Sequence, residues 1–243
     1  MYRFLKIIAV LFSLLIFQKI HSQDSWVIST ESVNPADYYG ITSANGMIGI
    51  VSSPEPLKVK QIVLAGLYDQ YGRGRVSNFI PAFNLLNLRL ILNGRTVTAQ
   101  NVSNFKQELN MQNGTFTSTF DVDKLAKVKY TYMALRHLPY SVMGTVEITP
   151  TAEIALSAVN IMETPDALRD SKFTFNEINR KHIGIQMLTS QAKTPTGKIM
   201  LAATTSFAFT EKRGEEPNVI HEMPDSHLHQ QKFSKVLKSG EIY

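Results

Sequence analysis

The chain has 243 residues, of which 44% are hydrophobic and 19% are charged, and its mean hydropathy is −0.08. This balance is typical of a globular protein, and the length suits one large β domain, since all-β units often reach about 200–250 residues. The formal net charge is +5, but the lysines and arginines form no basic run, which argues against a nucleic-acid partner. The absence of cysteine excludes disulfides, cysteine-based zinc sites and thiol nucleophiles.

The first residues have the pattern of a secretory leader. Arg3 and Lys6 precede the apolar run from Ile7 to Phe17, and Ser22 is a small residue at a suitable cleavage point. The apolar run is shorter than the ~18–20 residues that span a bilayer. The sequence therefore predicts a signal peptide over residues 1–22, a mature domain over 23–243, a secreted or periplasmic location, and no membrane association after cleavage.

A β-hairpin is the clearest prediction in the mature chain. Between Phe83 and Asn93, four leucines alternate with Asn87, Arg89 and Ile91, so that one face of the segment is wholly apolar. This period of two indicates a strand with one face on a core. Asn93-Gly94 suits a type I′ turn, and the β-branched residues of 96–99 provide the return strand.

Turn dipeptides and short apolar runs continue along the chain. Asn45-Gly46 predicts a hairpin between residues 41–45 and 47–51, and Asn113-Gly114 predicts another turn. Residues 104–111 fit either one helical turn or an edge strand. Residues 164–181 are polar and predict a long connection with room for a helical turn, and the tail from 211 to 243 is poor in pattern, with a last strand near 233–238. About a dozen short strands without a long amphipathic helix predict an all-β, antiparallel β-sandwich.

Residues that could carry chemistry are scattered. Asp69, Asp121, Asp123, Glu147 and Glu153 are carboxylates by type, but nothing in the sequence pairs them across a scissile bond. His221, His227 and His229 could supply two metal ligands at i, i+2 on a strand, although a solvated tail is the simpler interpretation. The sequence therefore predicts no catalytic residue, metal ligand or cofactor.

Aromatic residues are more suggestive of a binding surface. Tyr68, Asp69 and Tyr71 lie in a glycine-rich loop whose glycine spacing fits neither a phosphate loop nor a dinucleotide fingerprint. This loop is the candidate for substrate contact or a domain interface. Other aromatic residues could stack on sugars or fill the core, namely Phe79, Phe83, Tyr130, Tyr132 and Tyr140.

Five blocks in order resemble the N-terminal domain of glycoside hydrolase family 65, the family of maltose, trehalose and kojibiose phosphorylases and related glucosidases. The blocks are ITSANGMIGI (41–50), AGLYDQYG (65–72), FIPAFNLLNLRLILNGR (79–95), FKQELNMQNGTFTSTF (105–120) and LRHLPYSVMGTVEITP (135–150). The resemblance is strongest over residues 26–150. Asn110 departs from the aspartate that the family usually has in this block, and the tail offers no clear closing strand, so truncation at the C-terminal edge is an open interpretation.

The resemblance implies a galactose-mutarotase-like super-sandwich that packs on an (α/α)6 catalytic barrel in the family. The barrel, which carries the family's general acid, would lie C-terminal to these residues. The expected function is thus the non-catalytic N-terminal domain of a secreted enzyme acting on α-glucosides, with a homodimer left open. Secretion favours hydrolysis over phosphorolysis, because phosphorolysis outside the cell would give away the sugar phosphate. The alternatives are a stand-alone carbohydrate-binding sandwich and a small epimerase that uses a histidine and a glutamate.

Overall fold

The computed structural model describes residues 26–72, 76–181 and 183–243. The predicted signal peptide lies outside the described residues. Within the described ranges the chain forms β-strands and one short 3-10 helix, Pro35–Asp37, but no α-helix, and none of this part contains a helix that could cross a membrane. The strands are β1 (Val27–Thr30), β2 (Thr42–Ala44), β3 (Ile48–Ser52), β4 (Val59–Leu64), β5 (Tyr68–Gln70), β6 (Ser77–Phe79), β7 (Asn87–Leu92), β8 (Arg95–Thr96), β9 (Val102–Asn110), β10 (Thr115–Val122), β11 (Ala126–Ala134), β12 (Val142–Pro150), β13 (Ile154–Glu163), β14 (Arg169–Arg180), β15 (Ile183–Lys193), β16 (Met200–Thr205), β17 (Ile220–Glu222) and β18 (Leu228–Leu237).

The strands pair in antiparallel fashion in five sheets. Two sheets have five strands each, in the orders β1-β9-β10-β11-β12 and β17-β18-β13-β7-β8. Smaller sheets consist of β14-β15-β16, β2-β3-β4 and β5-β6. The long hairpins follow directly from the sequence, since consecutive strands joined by tight turns pair with each other.

One hydrophobic core receives side chains from both five-stranded sheets. Phe116 and Phe120 of β10 and Leu90 and Leu92 of β7 are all at most 3% exposed. Alternate residues of β10 and β11 are buried along their whole length, which is the period that a half-buried strand requires. Burial of these side chains, at about 25 cal/mol per Å² of apolar surface, is the main stabilising contribution in a chain without disulfides.

A buried tyrosine joins the two sheets. The Tyr130 hydroxyl on β11 donates a hydrogen bond to the Leu86 carbonyl oxygen at 2.6 Å, and burial raises the pKa of Tyr130. Gly144 on β12 lies beside these residues, and a Cβ there would come within 3.0 Å of a Leu86 methyl group. Glycine at this position therefore allows the sheets to approach closely.

The all-β prediction is confirmed, as are its turns. Asn45-Gly46 joins β2 to β3, Asn93-Gly94 joins β7 to β8, and Asn113-Gly114 joins β9 to β10. All three glycines have positive φ, the region that an L side chain rarely adopts. The return strand after Gly94 is shorter than predicted, because only Arg95–Thr96 pairs with β7.

Three predictions about local structure are wrong. Residues 104–111 belong neither to a helical turn nor to an edge, because β9 lies between β1 and β10. The predicted connection over 164–181 contains the twelve-residue strand β14. The tail, expected to lack a clear closing strand, contains β18, which pairs with β13 over ten residues and is a central strand of its sheet.

Candidate functional site

The predicted loop at residues 68–71 begins as a strand. β5 pairs with β6, with Tyr68 opposite Phe79 and Gln70 opposite Ser77. The turn between them is closed by Asn78, whose side-chain Nδ2 donates to the Tyr71 carbonyl at 2.6 Å. We call residues 68–72 and 76–79 the aromatic hairpin, whose connecting residues 73–75 are outside the described part of the chain.

Asp69 anchors the aromatic hairpin to the turn that follows β15. The Thr196 backbone N–H and hydroxyl both donate to its carboxylate, at 3.0 and 2.8 Å, and the Gln70 N–H donates at 2.7 Å. The Thr194 hydroxyl is a fourth donor and the main reason that the pKa of Asp69 falls well below its usual value. A carboxylate offers about four lone-pair sites, so these donors engage most of them. Asp69 is 4% exposed, and its position suits a structural anchor better than an acid or base.

Beside the anchor, the aromatic rings of the hairpin reach solvent. Tyr68 is 55% exposed, Tyr71 41% and Phe79 47%. The Tyr68 and Phe79 rings meet edge to face, with centroids 5.8 Å apart, which holds both rings in a fixed arrangement. Exposed, preorganised rings of this kind suit contact with a sugar or with another protein surface.

An apolar groove starts where the aromatic hairpin leaves the core. The groove has a volume of about 560 Å³ and is lined by residues 64–67, Tyr140 and Met200, among others. Met200 is 66% exposed and Tyr140 51%. Contiguous apolar surface of this kind usually marks an interaction site.

The remaining aromatic candidates divide between surface and core. Phe83, Tyr130 and Tyr132 are at most 2% exposed, so core packing is their role. Phe79 and Tyr140 are exposed instead, so sugar stacking stays a prediction for these two residues.

The other predicted carboxylates serve the fold or the surface. Asp121 accepts a hydrogen bond from Asn104 at 2.7 Å, Asp123 pairs with Arg95 at 3.0 Å, and Glu147 pairs with Lys129 at 2.7 Å. Glu153 is exposed. Each of the first three is engaged by a neighbouring side chain at the protein surface.

The interpretation of the histidines as a solvated tail is wrong for two of them. His229 on β18 is fully buried, and its Nε2 contacts Nε2 of His221 on β17. Phe173 packs on the His229 ring, with centroids 4.7 Å apart, and Phe175 stacks on the His221 ring at 4.8 Å. Burial is the main cause that lowers the pKa of His229 to about 4, and the charge of His221 adds to it. Within the described ranges, no three histidine, aspartate or glutamate side chains converge as a metal site would require.

Sequence reasoning missed the partners of both buried groups. Thr196 lies 127 positions after Asp69, and no local pattern connects them. The histidines at 227 and 229 gave the expected i, i+2 signal, but β17 brings His221, rather than His227, to His229.

Comparison with known proteins now identifies the family. The model of the glycosyl hydrolase family 65 N-terminal domain matches residues 41–242. The chain belongs to this family. The resemblance seen in the sequence is thus confirmed and extends through β18, of which the sequence predicted only the second half.

Two curated relatives share about half of the sequence. A kojibiose hydrolase from Mucilaginibacter mallensis is 50% identical over 224 residues, and one from Flavobacterium johnsoniae is 47% identical over 224 residues. The alignments cover 92% of this chain but 33% of each relative. The chain therefore spans about one third of the length of these relatives.

A solved structure shares the fold at low sequence identity. The chain described as "Putative kojibiose phosphorylase from human microbiome" matches with a TM-score of 0.68 and 12% identity, over 90% of this chain and 31% of that one. The agreement concerns the fold of the family 65 N-terminal domain alone.

Proposed function

We propose that the chain is the non-catalytic N-terminal domain of a secreted family 65 glycoside hydrolase that acts on kojibiose or a related α-glucoside. The observation that carries this proposal is the 50% identity to a kojibiose hydrolase over 92% of this chain and one third of that relative. An (α/α)6 barrel C-terminal to these residues would supply the catalytic groups.

The carboxylates support a non-catalytic role. Glycoside hydrolysis requires one carboxyl group that can give up a proton and a second that acts as nucleophile or base. Asp69 accepts hydrogen bonds from Thr196 and Gln70, and Asp121, Asp123 and Glu147 are held by surface partners. These groups are occupied by interactions that hold the β domain together.

The aromatic hairpin is the proposed contribution to the active-site mouth or to the interface with the barrel. Its rings are exposed and fixed, and the adjoining groove offers further apolar surface. Tyr68 and Tyr71 would contact either the sugar or the barrel, and Asp69 would hold them in place. A homodimer through the same surface is a competing use of these residues.

The finer architecture and the location are part of the proposal. Two five-stranded sheets that share one core support a super-sandwich of the galactose-mutarotase-like type. The leader pattern over residues 1–22 supports a secreted or periplasmic enzyme. Secretion in turn favours hydrolysis over phosphorolysis.

Kinetics of the complete protein test the proposal. A protein in which these residues are joined to a catalytic barrel should release two glucose molecules per kojibiose without phosphate, whereas residues 23–243 alone should release none. Tyr68→Ala and Tyr71→Ala in the complete protein should raise KM several-fold if the rings contact substrate, and Tyr39→Ala, in an exposed loop, serves as the matched control. Hydrolysis by residues 23–243 alone would contradict the non-catalytic role.

A stand-alone carbohydrate-binding module is the second candidate. The exposed Tyr68, Tyr71 and Phe79 rings favour it, because sugars bind to flat aromatic surfaces through stacking contacts. Isothermal titration of the chain with kojibiose separates the two functions. A domain that serves only as scaffold gives no heat of binding, and saturable heat that disappears in Tyr68→Ala would establish the module.

A further inference from the structure

One edge of the first five-stranded sheet is only partly paired. β12 is the last strand of that sheet. Residues 240–243 run beside the end of this edge: the Gly240 N–H donates to the Pro150 carbonyl at 2.8 Å, and Tyr243 and Ile148 exchange both backbone hydrogen bonds, at 2.7 and 3.0 Å. A mutual exchange of this kind is the hydrogen-bonded pair of an antiparallel ladder.

This ladder stops after its first pairs. In an antiparallel strand every second residue turns its N–H and C=O to the same edge, so Val146, Gly144 and Val142 face the same side as Ile148. Within the described ranges no hydrogen bond from that side reaches these three residues. An unpaired edge in this position is a template for another strand.

A cavity runs along this unpaired edge. It has a volume of about 610 Å³ and is lined by every residue from Val142 to Val146. Because neighbouring residues of a strand point to opposite faces, lining by all five residues places the cavity around the edge of β12 and not against one face. The opposite wall is formed by residues 204–211.

The opposite wall is itself an unpaired segment. Residues 206–209 follow β16 outside any described strand, and residues 206–210 alternate between exposed and half-buried side chains. Phe207 and Phe209 each pack on Phe233 with centroids 5.0 Å apart. In the same cavity Asn160 is 4% exposed, and its Oδ1 has no hydrogen-bond partner, although its Nδ2 donates to Thr205 at 2.8 Å. The cavity thus has unpaired backbone on one side and an unsatisfied buried acceptor in its wall.

We propose that this cavity is the docking site of one more β-strand, formed by the residues that directly follow Tyr243 in a longer chain. The pairing of Tyr243 with Ile148 sets the direction and the register of that strand. The second, fourth and sixth residues after Tyr243 would lie opposite Val146, Gly144 and Val142 and direct their side chains into the cavity. Covalent connection to Tyr243 gives this segment a high effective concentration at the edge, which favours it over a second copy of the chain.

Two extended chains of identical composition test the register. The first adds Thr-Val-Thr-Val-Lys-Val after Tyr243, which places valine at the second, fourth and sixth positions. The second adds Val-Thr-Val-Thr-Val-Lys, which moves the valines by one residue and therefore to the opposite face. The unextended chain is the reference for both.

Hydrogen exchange at the β12 edge is the measurement. We expect the amides of Gly144 and Val146 to exchange at least about tenfold more slowly in the first extended chain and to remain unchanged in the second. Equal exchange in all three chains, or equal protection by both extensions, would overturn the proposal. Protection in the unextended chain together with a doubled mass in sedimentation would also overturn it, in favour of a second copy.

The inference rests on the proposed function only because a longer chain must supply the strand. The exchange experiment uses no substrate, so its failure would leave the kinetic test unaffected. Conversely, a strand that docks as expected would not establish hydrolysis.

Discussion

Asp69 and His229 are both buried ionisable groups, but the groups around Asp69 favour its charged form, whereas those around His229 favour its neutral form. Around Asp69, two threonine hydroxyls and two backbone N–H groups point at the carboxylate. Around His229, two phenylalanine rings lie within 4.7–4.8 Å of the His229–His221 pair, and Nδ1 of His229 has no hydrogen-bond partner among the described residues. The first site stabilises the charged form of its residue, and the second stabilises the neutral form.

Although both pKa values are lowered, the causes differ. Hydrogen bonds to the charged form lower the pKa of a carboxyl group, whereas burial disfavours the charged form of a histidine and lowers its pKa. In both cases the unfolded chain binds more protons than the folded chain in the affected range, so stability falls as the pH falls. The ranges are separate: for His229 the loss runs from about pH 6.5 to about 4, and for Asp69 it begins only below its usual pKa of 3.8.

Of the changes considered, removing the charge of Asp69 should reduce the stability of the protein most. Asp69→Asn replaces acceptor lone pairs with an NH₂ group that faces donors, so we expect the melting temperature at pH 7 to fall by about 5–10 °C. Asp123→Asn, at an exposed ion pair with Arg95, is the matched control and should shift it by about 1 °C or less. Calorimetry of the three proteins would contradict the anchor role of Asp69 if the two shifts were equal.

A fall in pH tests whether the folded protein holds His229 in its neutral form. The free energy of unfolding should fall by about 2 kcal/mol between pH 6.5 and pH 4 because of His229, since one pKa unit corresponds to about 1.4 kcal/mol and part of the titration lies outside this pH range. His229→Gln cannot take up this proton and should flatten that part of the profile. Urea unfolding at several pH values measures the slope. An unchanged slope in His229→Gln would contradict the assignment.

Tyr130 provides a comparison with a buried polar group that carries no charge, because its hydroxyl is hydrogen-bonded to the Leu86 carbonyl. Tyr130→Phe removes the 2.6 Å hydrogen bond to the Leu86 carbonyl and leaves that oxygen unpaired, so we expect a loss of about 1–2 kcal/mol, independent of pH between 4 and 8. Tyr39→Phe, at a position 94% exposed, should change stability by less than about 0.5 kcal/mol. A pH-dependent loss in Tyr130→Phe would mean that the variant disturbs more than one hydroxyl group.

The smallest loss of stability among these variants is expected at an exposed ion pair. Lys129 and Glu147 are joined at 2.7 Å, but their side chains are 48% and 46% exposed, so solvent screens the attraction. Lys129→Ala should reduce the free energy of unfolding by about 0.5 kcal/mol or less, with a smaller effect at high salt. Urea unfolding at two salt concentrations checks this. A loss as large as that of Tyr130→Phe would show that close geometry matters more here than exposure.

The sequence predicted strands well where one face of the strand is buried. β10 and β11 alternate because their inner residues enter the core, and the leucine run of β7 has the same cause. β14 was missed because only Ser171, Phe173 and Phe175 are half-buried and its other side chains are exposed, so that burial imposes a pattern on a short part of the strand. The first half of β18 was missed for the opposite reason: its polar residues His229, Gln230 and Gln231 are buried, and pairing with β13 places them there despite their polarity.

For the candidate site, the sequence selected residues that the structure places at an exposed surface, but it did not indicate what supports them. Tyr68 and Tyr71 could be selected because aromatic residues beside glycine and charge are common on binding surfaces. The anchoring of Asp69 depends on a turn more than a hundred residues away, and tertiary contacts of that range leave no local signal.

The hydrogen bonds between Asp69 and Thr196 also have a consequence for the order in which the chain folds during synthesis. A ribosome releases Asp69 long before Thr196, which follows 127 positions later. The aromatic hairpin can therefore reach its final orientation only after the turn that follows β15 has emerged and folded. The position of the hairpin on the domain is thus set late in synthesis, when the later strands are already in place.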